Sequence, residues 1–537
     1  FSRVRALRPD RTGLETRPHR GCGLANSMRN SALRASMLLA RSLLGFEAVS
    51  SAANNVDRQM GEPMVQDSGR GKAQGYKTIV YMICMVAALG GLLFGLDQGF
   101  IANSLDTLTQ HYGFAVHDKE SYSAILATGG IFGALLSGIF ARFLGRKRSL
   151  VLAGFVFTAA SAFSALLPPL PVLSACRFAL GFGVGIASFI VPLYLSETAP
   201  AAIRGSMGTL FQLMITIGIF LIAVSNVFIA RIFANPATSL PLMFLTVTLF
   251  AALMFAGSFI LPESPRWLML KGRKERAIAV LQKTLNTREE IDREISEIEE
   301  ALHGPQGAGI SIIFRGYFFK VLVVGILLQM FQQLVGINMM IYYSPTIFGY
   351  AGMTGLLAMM AVPTVNMLFT FPAIHLVEKW GRKKLLYVGA VAMIITMLAA
   401  GFVFQSIGNV SDPSLIGGAP KVLLLIAVII YIFGFAVSWG PVVWLVCSEV
   451  FPLEGREVGM TITTMINWTF AGLVMNYALS FMGKFGNASI FYVFAGFCML
   501  AILFVALFVP ETKGITLEEL EFNLKKGVRL RNLGNRG

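Results

Sequence analysis

One apolar stretch, QQLVGIN at 332–338, carries three amide side chains, Gln332, Gln333 and Asn338. An amide both donates and accepts hydrogen bonds. Amides this close in sequence can hold a ligand rich in hydroxyl groups, or a neighbouring helix. Gly336 lies between the glutamines and the asparagine, and a local break there would let the three converge. A second polar residue stands out by its isolation. Asp97 sits deep in AALGGLLFGLDQGFIA, residues 87–102. An ionisable group inside so apolar a run is costly, and by default it marks a functional position such as a proton relay. Arg177, at the start of the fourth apolar run, is its natural partner. A nearby cation favours the ionised carboxylate and burial opposes it, so such a pair can be switched by one proton. Its other possible role is a static tie between the first and fourth runs.

These residues need long apolar elements to hold them, and the composition supplies them. The chain has 537 residues, 55% of them hydrophobic and 14% charged, with mean hydropathy +0.68. Soluble domains carry about 25% charged residues, so the chain reads as an integral membrane protein. A spanning helix needs roughly 20 apolar residues. About twelve such runs begin near Thr78, Ser121, Ser149, Val172, Gly205, Leu240, Gly316, Gly355, Lys384, Lys421, Gly459 and Ala488. They are long and continuous, where barrel strands would alternate over about ten residues, so helices fit better than strands. The 54 glycines, as in GFGVG at 181–185, suit close packing of membrane helices.

The net charge of +15 does not point to nucleic acid, because the basic residues sit in the tails and in alternate turns. The turn after the second run holds Arg142, Arg146, Lys147 and Arg148, and the turn after the eighth holds Lys379, Arg382, Lys383 and Lys384. The short loops between hold little more than Lys119, Arg231, Lys421 and Lys484. This bias puts the basic turns and both termini on the cytoplasmic side. Cys22, Cys84, Cys176, Cys447 and Cys498 show no metal spacing and no disulfide framework. The histidines (His19, His111, His117, His303, His375) are scattered. No nucleophile elbow accompanies them, so an enzyme is not expected and no cofactor or metal is called for.

The chain is written twice. GRKR at 145–148 recurs as GRKK at 381–384, SETAPAAIR at 196–204 as SEVFPLEGR at 448–456, and PESPR at 262–266 as PETKG at 510–514. Three pairs in one order, offset by about 240–250 residues, indicate a duplicated six-helix unit. Parallel repeats of this kind characterise one class of secondary transporter. The expected organisation is an N-terminal bundle at 76–262, a cytoplasmic linker at 263–312, a C-terminal bundle at 313–509 and a cytoplasmic tail at 510–537. The linker segment IDREISEIEEALH sets Ile291, Ile295, Ile298 and Leu302 on one stripe, expected to lie at the cytoplasmic surface against the bundle or the lipid headgroups. Residues 1–75 are Arg-rich early and read as a disordered cytoplasmic tail, or as a targeting or misassigned segment, with Met28, Met60 and Met64 as possible starts. The repeated acids and arginines, Glu197, Arg204, Glu449 and Arg456, can pair with the basic turns, where Arg146 and Arg382 stand. Exposed pairs of this type are worth about 0–1 kcal/mol, which suits a gate that must open.

GGLLFGLDQG at 90–99, RFALGFGVG at 177–185, PLYLSETAPAAIRG at 192–205, PESPRWL at 262–268, QQLVGINMMIYY at 332–343, SWGPVVWLVCSEVFP at 438–452 and PETKG together resemble the sugar porter family of the major facilitator superfamily. The resemblance runs from about 78 to about 520. It implies an all-α fold of twelve transmembrane helices in two pseudo-symmetric bundles, and hexose transport by alternating access. It also implies that Gln212, Asn366 and Asn467 join Gln332, Gln333 and Asn338 in contacting sugar, and that Trp444 packs against it. Trp439 is expected to be structural, and Trp468 either structural or a sugar contact. An acid at the Asp97 position, paired with the Arg177 equivalent, is the mark of proton symporters in this family, and many facilitators lack it. Two departures are visible. Arg142 stands where the family has an acid before its first GRK turn, while Glu378 keeps an acid in the second half; Leu96 stands where a Tyr is common. The expected partners are a monosaccharide, glucose first, a proton and the lipid bilayer, with a monomer as the functional unit in the plasma membrane. The alternatives are a facilitative uniporter and a sugar sensor on the same scaffold, the latter disfavoured by the short tail after PETKG.

Overall fold

In a bilayer every backbone N–H and C=O must be satisfied within its own segment or a closed barrel, and long continuous apolar runs meet that requirement as helices. The computed structural model describes residues 77–200, 203–303, 309–408, 416–452, 454–515 and 517–534. Among them are helices and turns and no strand. The N-terminal stretch, including Cys22, lies outside the described residues, as does the side chain of Arg204.

The first half contains α1 (Thr78–Tyr112), α2 (Val116–Phe143), α3 (Arg146–Ser164), α4 (Leu170–Thr198), α5 (Arg204–Ile232) and α6 (Pro236–Ser258). The linker forms α7 (Pro265–Leu270), α8 (Lys274–Thr284) and α9 (Arg288–His303). In the second half, α10 (Gly316–Leu334) continues after a break as α11 (Ile337–Tyr350), followed by α12 (Leu356–Trp380) and α13 (Arg382–Ile407). Then α14 (Gly418–Val437) continues after a second break as α15 (Trp439–Val450), followed by α16 (Arg456–Phe485), α17 (Ser489–Phe508) and the short α18 (Leu517–Lys525). Among the described residues, eleven segments, with each broken helix taken as one, are long and apolar enough to cross a bilayer. The short α3, whose first turn is Arg146, Lys147 and Arg148, packs along α4 and α6 and completes six spans in each half.

The glycines are where the helices touch most closely. Gly129 and Gly133 on α2 face the carbonyls of Phe178 and Phe182 on α4, while Gly181 and Gly185 face those of Leu126 and Gly130 in return. A Cβ at any of the four would overlap backbone, so small residues fix this approach. Gly91, Gly95 and Gly99 on α1 lie against α5 in the same way.

The linker stripe departs from expectation. Ile291, Ile295 and Ile298 are buried against Trp267, Leu268, Met269, Ala277, Val280 and Leu281 of α7 and α8. The apolar face is consumed in a small core of the linker's own rather than laid on headgroups. The side chain of Leu302 lies outside the described residues. Lys77 ties the linker to the start of α1 by donating to the carbonyls of Gln282 and Leu285 at 2.7 and 2.5 Å. Cys84, Cys176, Cys447 and Cys498 are buried free thiols.

Candidate functional site

The helix that carries the amides does break. Gly336 has φ 95° between α10 and α11, and a Cβ there would stand 2.5 Å from the Phe494 ring. Only glycine meets both conditions. The break turns Asn338 back so that its Nδ2 donates to Gln333 Oε1 at 2.5 Å. Gln333 Nε2 donates to Gln332 Oε1 at 3.4 Å, and Asn467 Nδ2 to the same oxygen at 2.7 Å. Gln332 Nε2 in turn donates to the carbonyls of Trp439 and Gly440, at 2.9 and 3.1 Å, where α15 begins. These amides line a cavity of about 30 Å³ between the two halves, together with Gln212, Trp444 and Gln98 and the apolar Phe94, Ile215, Ile337, Ile341 and Phe435. The space holds about two waters, so the site is contracted in this conformation. Asn467 Oδ1 is buried without a protein hydrogen-bond partner.

Six of the seven amide and tryptophan positions named from sequence therefore meet at one cavity. Asn366 does not. It is fully buried on α12, and neither polar atom of its side chain has a hydrogen-bond partner. The resemblance that named it said nothing of helix rotation, and rotation decides which face a residue presents. Trp439 is structural, its Nε1 donating to Leu386 O at 3.0 Å. Trp468 packs against Phe94 and over Gly130 outside the cavity lining. Sequence reasoning missed Gln98, which donates to Asn338 Oδ1 at 2.9 Å and joins the halves. The signal was present: a glutamine beside Asp97 in an apolar run is itself a costly polar group.

Asp97 and Arg177 form a bidentate pair, Nη1 to Oδ1 at 2.9 Å and Nη2 to Oδ2 at 3.2 Å. Their side chains are 2% and 1% exposed. Arg177 also donates from Nε to Tyr122 O at 2.7 Å and lies 5.0 Å from the Tyr122 ring centroid. The pair thus ties α1, α4 and α2. Asp97 is the chain neighbour of Gln98, which lines the amide cavity.

The repeated punctuation builds two matching clusters on one face. Arg146 donates to both oxygens of Glu197 at 2.9 and 2.7 Å, and Arg382 to both of Glu449 at 3.3 and 2.7 Å. Ser264 and Thr512 each donate a hydroxyl to the acid of their own cluster at 2.6 Å. Glu263 accepts from the backbone N–H groups of Arg146 and Lys147, and Glu511 from those of Arg382 and Lys383. Each PES or PET acid therefore caps the helix that follows a GRK turn, where the helix dipole favours an anion. Burial still pushes the Glu263 carboxyl above the usual carboxylate range, against those backbone donors. These are not exposed pairs as the sequence suggested: the side chains of Arg146 and Glu197 are 7% and 5% exposed. Taking away one partner of a buried pair costs about 3–5 kcal/mol, far more than a surface pair. Arg456 donates from Nε to Phe451 O at 3.3 Å. The two halves differ beside Arg146 and Arg382. Arg382 finds a second acid in Glu378 at 3.6 Å, but in the first half Arg142 occupies that place. Arg146 instead reaches across to Glu457 of the second half at 3.0 Å.

The family model described as "Sugar (and other) transporter" matches residues 83–524. The galactose-proton symporter of Escherichia coli (strain K12) is 39% identical over 462 residues, covering 85% of this chain and 97% of that protein. The arabinose-proton symporter of the same strain is 35% identical, covering 84% and 95%. Among solved structures, a proton:xylose symporter of the major facilitator superfamily bound to 6-bromo-6-deoxy-D-glucose superposes with TM-score 0.74 at 32% identity, covering 82% of this chain and 98% of that one.

Proposed function

This chain belongs to the sugar transporter family of the major facilitator superfamily, and from that premise we propose that it is a hexose–proton symporter with glucose as its first expected substrate. The observation that carries the proposal is the junction of two sites. Gln98, the chain neighbour of Asp97 in the buried Asp97–Arg177 pair, donates to Asn338, a member of the amide cavity. Gln212, Gln332, Gln333, Asn338 and Asn467 offer donors and acceptors to sugar hydroxyls, and Trp444 offers a flat face to the apolar side of a pyranose. The unpaired Asn467 Oδ1 is a ready acceptor for one hydroxyl. A proton on Asp97 removes the charge that holds Arg177, and sugar in the cavity reorganises the amides that Gln98 touches. Coupling then follows, because each ligand favours the same rearrangement. Asn366 enters the proposal as a residue exposed to sugar only after the halves reorient.

The positive-inside bias assigns the GRK face, the linker and α18 to the cytoplasm of a plasma-membrane carrier. The buried clusters around Arg146 and Arg382 hold that face closed, and a monomer suffices because the cavity is built within one chain. The test is uptake of labelled glucose and galactose by cells lacking their own hexose carriers, at external pH 5.5 and 7.5, with and without a protonophore. Accumulation that rises in acid and collapses with the protonophore supports symport. Uptake that only equilibrates at either pH makes the chain a facilitative uniporter.

A further inference from the structure

Arg177 does more than face Asp97. Its Nε holds the carbonyl of Tyr122, and two residues before Tyr122 stands Glu120, a carboxylate with no exposed surface. The partner of Glu120 lies on the other half of the molecule. One carboxylate oxygen accepts the backbone N–H of Ser480 on α16 at 2.8 Å, and the other accepts the Ser480 hydroxyl in a short contact. A backbone N–H inside a helix is ordinarily taken by the carbonyl four residues earlier; here it reaches a carboxylate from another helix. Burying a carboxylate is expensive unless hydrogen bonds replace its water, so packing alone gives no reason for this residue.

The seam closes again toward the GRK face, where Gly138 of α2 lies beside Thr461 of α16, and where Arg146, the first residue of α3 just past the end of α2, reaches Glu457 in the first turn of α16. Between these ends the helices are close. Gly130 lies under Trp468, and Gly472 lies beside Ala127. The α2–α16 seam is therefore pinned by an acid at each end, and alternating access requires the two pins to release in turn.

We propose that Glu120 is a positioning residue of the transport cycle: its grip on Ser480 closes the outer face, opposes the Arg146–Glu457 clamp at the inner face, and is tied to Asp97 through Arg177 and the Tyr122 carbonyl. The terms outer and inner rest on the transport reading above, whereas the two pins rest on geometry. Release of Arg177 from Asp97 alters its hold on the α2 turn that carries Glu120, so the proton site and the outer pin act on one element.

The experiment uses the full chain in nanodiscs. Val116 and Lys484 are exposed on either side of the seam, near the start of α2 and the end of α16. Spin labels at V116C and K484C, in a background with C22S, report the opening of the outer face as a distance distribution. Glu120→Gln, which keeps the shape, and Ser480→Ala, which keeps the backbone donor, should each raise the long-distance population. Loss of charge-assisted hydrogen bonds predicts about a tenfold shift in the open-to-closed ratio. Glu457→Gln should shift it the other way. In proteoliposomes the Glu120 and Ser480 variants should show a lower maximal rate with an unchanged or lower KM for external sugar, a split that simple loss of folded protein does not produce. Unchanged distances in both Glu120→Gln and Ser480→Ala overturn the proposal. If wild type moves no sugar but the distances respond, the substrate reading fails and the latch stands. If wild type moves sugar and the distances stay fixed, the latch alone fails.

Discussion

Replacing Asp97 by Asn removes one charge and keeps the shape, which makes it the sharpest perturbation of the coupling pair. Arg177 loses two charge-assisted hydrogen bonds, at 2.9 and 3.2 Å, and keeps its bond to Tyr122 O. Breaking one side of a buried pair costs about 3–5 kcal/mol. The amide oxygen of Asn can accept one bond from the guanidinium, returning about 1 kcal/mol. The net loss of about 2–4 kcal/mol is within a typical stability of about 5–15 kcal/mol, so the variant should fold. Transport should change in kind. A potential of 100 mV supplies about 2.3 kcal/mol per charge, and one pH unit adds about 1.4 kcal/mol. Together they allow roughly 500-fold accumulation of sugar. The assay is labelled glucose and galactose in proteoliposomes with both gradients imposed, alongside counterflow without gradients. Wild type should accumulate and the Asn variant should equilibrate to a ratio of about one, with counterflow retained. An Asn variant that still concentrates sugar would refute the reasoning and move the coupling site elsewhere.

Other expectations follow from the same geometry. Gln332→Ala and Asn338→Ala should each raise the KM for sugar about tenfold or more, the loss of about 1.4 kcal/mol in hydrogen bonding, whereas Asn366→Ala should change equilibrium binding to the closed form less than about threefold, as isothermal titration would show. Gly336→Ala should lower the melting temperature through backbone strain at φ 95° of about 1–3 kcal/mol and overlap with Phe494; adding Phe494→Leu should restore part of the loss and leave the strain. For Glu263 the sign runs from burial: its folded-state proton affinity is raised, so its contribution to stability is full below the ordinary glutamate range and is lost as pH rises through the raised value. Melting curves at pH 4 and 8 should therefore show Glu263→Gln comparing better with wild type at pH 8 than at pH 4.

Much of the molecule was legible in its residues. Continuous apolar runs demanded helices, and three ordered echoes demanded two copies of one unit, because hydropathy and duplication are properties of the chain and need no packing to be seen. The break at Gly336 was readable for a similar reason: a glycine between polar groups permits a backbone turn that other residues resist. The site was only partly legible. Gln332, Gln333, Asn338, Gln212, Asn467 and Trp444 meet at the cavity, but Asn366 is buried outside its lining. Glu120 was passed over because the second apolar run seemed to begin at Ser121, which left the acid in a loop.

The sequence by itself determined that this is a two-fold repeated membrane protein with an acid deep in its first apolar run, an arginine to meet it and a cluster of amides. Only the tertiary structure decided what those groups touch. It set Gln98 as the bridge between halves, sent Arg146 to Glu457 in place of a local acid, and buried ion pairs that the chain alone presented as surface charges. The physical reason is that hydropathy and repeats are additive along the chain, whereas the partner of a side chain depends on helix rotation and on residues hundreds of positions away.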